Sequence, residues 1–254
     1  MSPGGEIGRL RRWNLGVGAA HLAQGAAILL LAGVAALPVS VEYLTGPPGA
    51  GRYGGPSLLF ELRIDVAVAA FLFLAAVDHL SVGTWARSWY ERQVCRGINP
   101  ARWWEYSISA SLMVVLIAML AGVREATALV ALFGANAAMI LFGLVMERVN
   151  LGRERVDWRP FVYGCVVGAV PWIAIGIQIV VSQAQTADVP GFVIAIFVTL
   201  FVLFNSFAVN MWLHYRRVGR WADPVFAERC YIVLSLVAKS ALAWQVYAGA
   251  LAGS

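Results

Sequence analysis

The sequence predicts an all-α membrane protein with seven transmembrane helices, and three observations carry that prediction. Of 254 residues, 60% are hydrophobic and only 13% charged, whereas a soluble domain carries about 45–50% apolar and about 25% charged residues. Seven apolar stretches reach the roughly 20 residues a helix needs to cross a bilayer core, at about 14–37, 63–85, 102–123, 126–146, 161–182, 191–213 and 229–251. The charges between those stretches fall almost entirely into alternate loops. Together the stretches leave room for one domain, residues 1–254.

The first stretch follows Arg9, Arg11 and Arg12 and so resembles a secretory leader. At about 23 residues it is too long for the usual apolar core of about 7–15 residues, and it reads as a retained helix. The connection at about 38–62 holds Gly46-Pro47-Pro48-Gly49 and Gly54-Gly55-Pro56. Such punctuation fits a structured, turn-rich loop or hairpin as well as a loose tether. Asn99-Pro100 opens the third stretch and Asp223-Pro224 precedes the seventh, each a capping side chain followed by proline at the first helical position.

Arginines set the expected topology. Fifteen of the eighteen lie in the N-terminal tail (Arg9, Arg11, Arg12) and in the 2–3, 4–5 and 6–7 loops, with Arg102 counted in the 2–3 loop; Arg52, Arg63 and Arg124 lie on the other side. The positive-inside rule then places the N-terminus in the cytoplasm and the C-terminus outside, with residues 38–62 extracellular.

The net charge of +5 belongs to these loops and gives no reason to invoke nucleic acid. Cys95, Cys165 and Cys230 have no CxxC spacing and read as small apolar filler. A seven-helix zinc hydrolase would need about three converging histidines; His21, His79 and His214 show no HxxxH spacing, so no enzyme is predicted. No internal repeat supports an inverted-repeat transporter. Arginines of the 4–5 and 6–7 loops serve topology and lipid headgroups, with a cytoplasmic signalling partner as the alternative.

Lys239 is the only lysine in the chain, and it lies about ten residues inside the seventh stretch. A lysine at that depth costs at least about 2.5–3.5 kcal/mol on insertion scales, which makes function its default reading. Everywhere else positive charge is arginine. A primary amine can lose its proton and form an imine, which a guanidinium cannot. A buried protonated imine needs a counterion. Glu105, in the first turns of the third helix, is the first candidate and Asp78 its rival, with Asp65 near an outer helix end. Glu105 lies nominally shallower than Lys239, a mismatch for side-chain reach to absorb. Ser109 shares the face of Glu105 and Ser235 that of Lys239, each one turn away. His21, His79 and Asp78 form a possible proton-accepting cluster. A long apolar aldehyde would occupy an aromatic slot between helices, for which Met113, Trp172, Phe204 and Phe207 are candidates beside Phe201 and Met211. A membrane transporter or a light-gated ion or proton conductor using Lys239 and Glu105 as a buried ion pair is the alternative use.

The stretches Ser235-Leu236-Val237-Ala238-Lys239-Ser240, Glu105-Tyr106-Ser107-Ile108-Ser109 and Asn205-Ser206-Phe207-Ala208-Val209-Asn210-Met211 resemble heliorhodopsin over essentially the whole chain. The resemblance implies all-trans retinal on Lys239 as a protonated Schiff base, with Glu105 as counterion and Ser235 and Tyr106 close by. It implies that His21 and His79 join a water and hydrogen-bond network on the cytoplasmic side. It further implies isomerisation to 13-cis, a slow photocycle with sensory rather than pumping output, and a homodimer with the first outer loop at its surface.

Overall fold

The computed structural model describes residues 3–186 and 189–252, with side chains from Gly8 onward except that of Thr186. The elements in chain order are α1 (Pro3–Leu31), β1 (Ala36–Val41), β2 (Ser57–Arg63), α2 (Ile64–Gly83), α3 (Arg87–Cys95), α4 (Pro100–Leu120), α5 (Ala126–Val149), α6 (Arg159–Thr186), α7 (Gly191–Tyr215) and α8 (Pro224–Val246). A π-helical turn, Tyr247–Leu251, continues α8. Six helices among the described residues are long and apolar enough to span a bilayer: Gly8–Leu31, Ile64–Gly83, Pro100–Leu120, Ala126–Val149, Arg159–Gln185 and Gly191–Tyr215. The 23-residue α8 is not among them, because Glu228, Arg229 and Lys239 lower its apolar character.

Helix ends follow the chemistry of the chain. Asn99 accepts a hydrogen bond from Arg102 N at 3.2 Å and Asp223 one from Val225 N at 2.9 Å, with Pro100 and Pro224 in the first turn. Glu125 caps α5, accepting from Thr127 N at 2.6 Å and Ala128 N at 3.3 Å. Before α6, Arg159 bonds Asp157 at 2.6 Å and holds its carboxyl down at about 2. Pro171 lies inside α6, where it removes one backbone bond.

The helices close a ring: α1 packs on α2, α2 on α4, α4 on α5, α5 on α6, α7 on α8, and α8 returns to α1. Lipid is as apolar as leucine, so helices associate through close packing at small residues and through polar contacts. The α1–α2 seam shows this: a Cβ at Gly18 would come within 2.8 Å of Leu80, and one at Gly83 within 2.8 Å of Leu15. Contacts between α6 and α7 are sparse by comparison.

Two segments depart from the sequence reading. The first helix, expected over 14–37, ends at Leu31, and Ala36–Val41 is a strand instead. Its partner Ser57–Arg63 completes an antiparallel hairpin with Ala36 opposite Arg63 and Val41 opposite Ser57. Gly49 (φ +88°) and Gly51 (φ +64°) turn the intervening loop in a conformation only glycine adopts freely. Ser40 N bonds Arg124 O at 2.9 Å, tying the hairpin to the start of α5, so this connection is structured rather than a tether. The second departure is α3, a short helix inside the expected 2–3 loop. Of the three cysteines, read as small apolar filler, Cys95 and Cys165 are exposed and Cys230 is half-buried, and none forms a disulfide among the described residues.

Candidate functional site

The site lies on the seam of α4 and α8, which start at the same end of the bundle. Its outer layer centres on Arg102, two residues into α4. Sequence reading assigned this arginine to loop charge, but it is 5% exposed and inside the bundle. Its guanidinium bridges Glu147, in the last turns of α5, and Glu228, in the first turns of α8. All four carboxylate oxygens accept hydrogen bonds. Glu147 also receives Asn99 N at 2.8 Å, and Glu228 receives Asn99 Nδ2 at 2.7 Å and the Tyr90 hydroxyl at 3.2 Å. The guanidinium lies 3.9 Å from the Tyr231 ring centroid. Charges this deep persist only when paired and hydrogen-bonded. The signal in the sequence was the Asn99 cap, which places Arg102 in the first turn of a helix and on the same face as Glu105, one turn further on.

About three turns beyond Glu228 along α8, Lys239 is 3% exposed. Its Nζ lies 3.3 Å from Glu105 Oε2 and 3.1 Å from Ser235 Oγ, and 4.7 Å from the centroid of the Tyr106 ring. The depth mismatch resolves through side-chain direction. A helical side chain leans toward the N-terminus of its own helix, so Lys239 folds back by a turn to Ser235 and meets Glu105 there. Tyr106 OH, donating to Tyr231 O at 3.1 Å, sets the relative height of the two helices. Asp78, the rival acid, is half-buried on α2 and makes no hydrogen bond with Lys239.

The polar atoms here are incompletely partnered. Among the described residues, Glu105 Oε1, Ser109 Oγ, both ring nitrogens of His21 and Nε2 of His79 are buried without a hydrogen-bond partner, as is Nε of Arg102 in the neighbouring layer. His21 and His79 stack with ring centroids 5.9 Å apart. From His79 a chain of buried side chains runs back to the Arg102 layer: Nδ1 pairs with Asn14 Oδ1 at 2.7 Å, Asn14 Nδ2 reaches the Tyr90 hydroxyl at 3.4 Å, and Tyr90 bonds Glu228. Asn14, Tyr90, Glu147 and Glu228 were not singled out in the sequence.

On the other side of Lys239 lies a cavity of about 300 Å³ between α4, α5, α6, α7 and α8. Ser235, Tyr106, Met113, Trp172, Phe204 and Phe207 line it, as do Phe201 and Met211. Ser109, His21, His79 and Asp78 are not in its lining. Trp172 packs edge-on against Phe204 with centroids 5.4 Å apart, and Tyr106 edge-on against Phe207 at 5.5 Å. Trp103 forms one wall by lying flat on α5 at Gly143, where any Cβ would run into the indole. His214 stands apart, bonded to Trp221 O at 3.0 Å near the end of α7. The arrangement is a mostly apolar cavity with one amine in its lining, one carboxylate against that amine, and unsatisfied polar atoms nearby.

A family model described as Heliorhodopsin matches residues 10–251. No curated protein matches the chain.

Proposed function

The chain belongs to the heliorhodopsin family, a family of rhodopsin-type retinal proteins in membranes, and on that premise we propose that it is a light-sensing photoreceptor whose chromophore is held by Lys239. The observation that carries the proposal is the position of Lys239, lining an aromatic cavity with its Nζ 3.3 Å from a single carboxylate, Glu105. The donor set fits retinal: a primary amine for the imine bond, and an apolar slot for a polyene and ring. When bound there, all-trans retinal supplies absorption of visible light and isomerisation to 13-cis.

The residues of the chain do the rest. Glu105 holds the positive charge on the Lys239 nitrogen in the dark, and Ser235 Oγ, one turn away, orients that nitrogen. Tyr106 presents its ring face to the same charge, an attraction worth about 0.5–2 kcal/mol in general. Trp172, Phe204, Phe207 and Met113 exclude water from the slot. The unpartnered nitrogens of His21 on α1 and His79 on α2, together with Asp78 beside His79, offer acceptors for a proton leaving Lys239 toward the arginine-rich end. In this reading α8 is the seventh span, the arginine-rich end is cytoplasmic, and no carboxylate in the outer half of α4 or α8 completes an exit path, so the output is sensory rather than ion pumping. The hairpin exposes Leu58, Leu59 and Phe60, which fit a homodimer contact.

The test is a visible absorption spectrum of protein loaded with all-trans retinal, beside Lys239→Ala. A band that needs Lys239 and is bleached by hydroxylamine in light is expected. Folded protein without a band would overturn the proposal and turn attention to a transporter's buried ion pair.

A further inference from the structure

The 2–3 connection, expected only as a charged loop, contains a helix whose two faces have different chemistry. Tyr90 (3% exposed) and Val94 (8%) are the residues of α3 buried against the bundle. Tyr90 is fixed by its bonds to Asn14 and Glu228, which set the rotation of α3 about its axis. At 100° per residue the opposite face carries Trp89, Arg92 and Arg96, and Trp85 stands in the turn just before it. Trp85 is 83% exposed and Trp89 38%, and both arginines are exposed. Among the described residues neither Arg92 nor Arg96 makes an ion pair, whereas Arg87, on a flank of the same helix, is paired with Glu91 at 2.6 Å.

The depth of this face follows from its neighbours. Trp13, Trp104 and Trp212 are each more than 40% exposed at the same end of the bundle. Exposed tryptophans gathered at one level of a membrane protein mark the headgroup region, and α3 lies in that belt. A short helix with tryptophan and arginine outward and its apolar side docked on protein matches the surface chemistry of an interfacial element.

We propose that Trp85, Trp89, Arg92 and Arg96 form a docking surface for the headgroup of an anionic phospholipid, with the indoles at the level of the glycerol backbone and the two guanidinium groups on the phosphate. Guanidinium pairs with phosphate bidentately, which suits arginine to this role. The surface does not depend on retinal, so it stands or falls separately from the photoreceptor reading.

Native mass spectrometry of the full-length protein, titrated in detergent with phosphatidylglycerol and separately with phosphatidylcholine, tests it. Each arginine near an anionic surface contributes about 1 kcal/mol, so Arg92→Gln/Arg96→Gln is expected to weaken phosphatidylglycerol binding about thirtyfold and leave phosphatidylcholine unchanged. The control pair Arg52→Gln/Arg124→Gln, at the opposite end, is expected to bind as wild type. Equal phosphatidylglycerol binding by the α3 variant, or equal loss in the control pair, would overturn the proposal and favour a protein partner for this face. Independently, a nitroxide on Cys95, with Cys165 and Cys230 replaced by serine, is expected at headgroup depth in phosphatidylglycerol bilayers. A label freely exposed to bulk water would also overturn it.

Discussion

The α4–α8 seam holds two buried cations, and they are treated in opposite ways. Arg102 is enclosed by two carboxylates whose four oxygens all accept hydrogen bonds, with Asn99 and Tyr90 joining the cage and only its Nε left without a partner. Lys239, about three turns beyond Glu228 on α8, has one carboxylate, one hydroxyl and an aromatic face, while Glu105 Oε1, Ser109 and the histidines behind it keep unsatisfied atoms. A polar network whose buried charges are balanced by two carboxylates rigidifies the fold, and a cation left with a single carboxylate is where chemistry has room to act. The same physics that makes Arg102 a clamp leaves Lys239 available as a site.

The comparison can be broken first at the clamp. Arg102→Gln leaves Glu147 and Glu228 buried without their cation, and removing one partner of a buried pair costs about 3–5 kcal/mol. Thermal unfolding in detergent is expected to show a large loss of stability. The triple change Arg102→Met/Glu147→Leu/Glu228→Leu is expected to recover most of it, because all three charges leave together. A small loss in Arg102→Gln alone would mean the cluster is a functional site rather than a clamp. Tyr90→Phe probes the edge of the same network: it removes one hydroxyl that both donates to Glu228 and accepts from Asn14. Loss of about 1–2 kcal/mol is expected, with the visible band unmoved. A shifted band would show that the two layers are not separate in function.

Legibility differed by residue for physical reasons. Lys239 was readable because a lysine at that depth is expensive, and Glu105 because few acids share its membrane level. The same residue weakens the signal of its own helix: Lys239, Glu228 and Arg229 depress the apolar character of α8, although the stretch 229–251 still reached span length in the sequence. Arg102 was misplaced because loop arginines and a first-turn arginine have the same spacing along the chain, and only three-dimensional packing with α5 and α8 separates them. The end of α1 was missed because Ala32-Gly33-Val34-Ala35-Ala36-Leu37 is apolar in helix and strand alike, and the hairpin begins within it. The α3 helix escaped because Arg87–Cys95 is short and polar, and its one deeply buried side chain, Tyr90, finds its partners on α1 and α8. The slot was legible in its aromatic residues, though not in Gly143, whose role exists only against the ring of Trp103.

The central claim is that the incompletely partnered cation, Lys239, is held by Glu105 and not by Asp78. The absorption maximum of retinal-loaded protein, compared among wild type, Glu105→Gln and Asp78→Asn, tests this most directly. Weakening the counterion narrows the excitation gap, so Glu105→Gln is expected to move the maximum to longer wavelength while Asp78→Asn leaves it in place. An unmoved maximum in Glu105→Gln with a shift in Asp78→Asn would contradict the account and give the counterion role to α2.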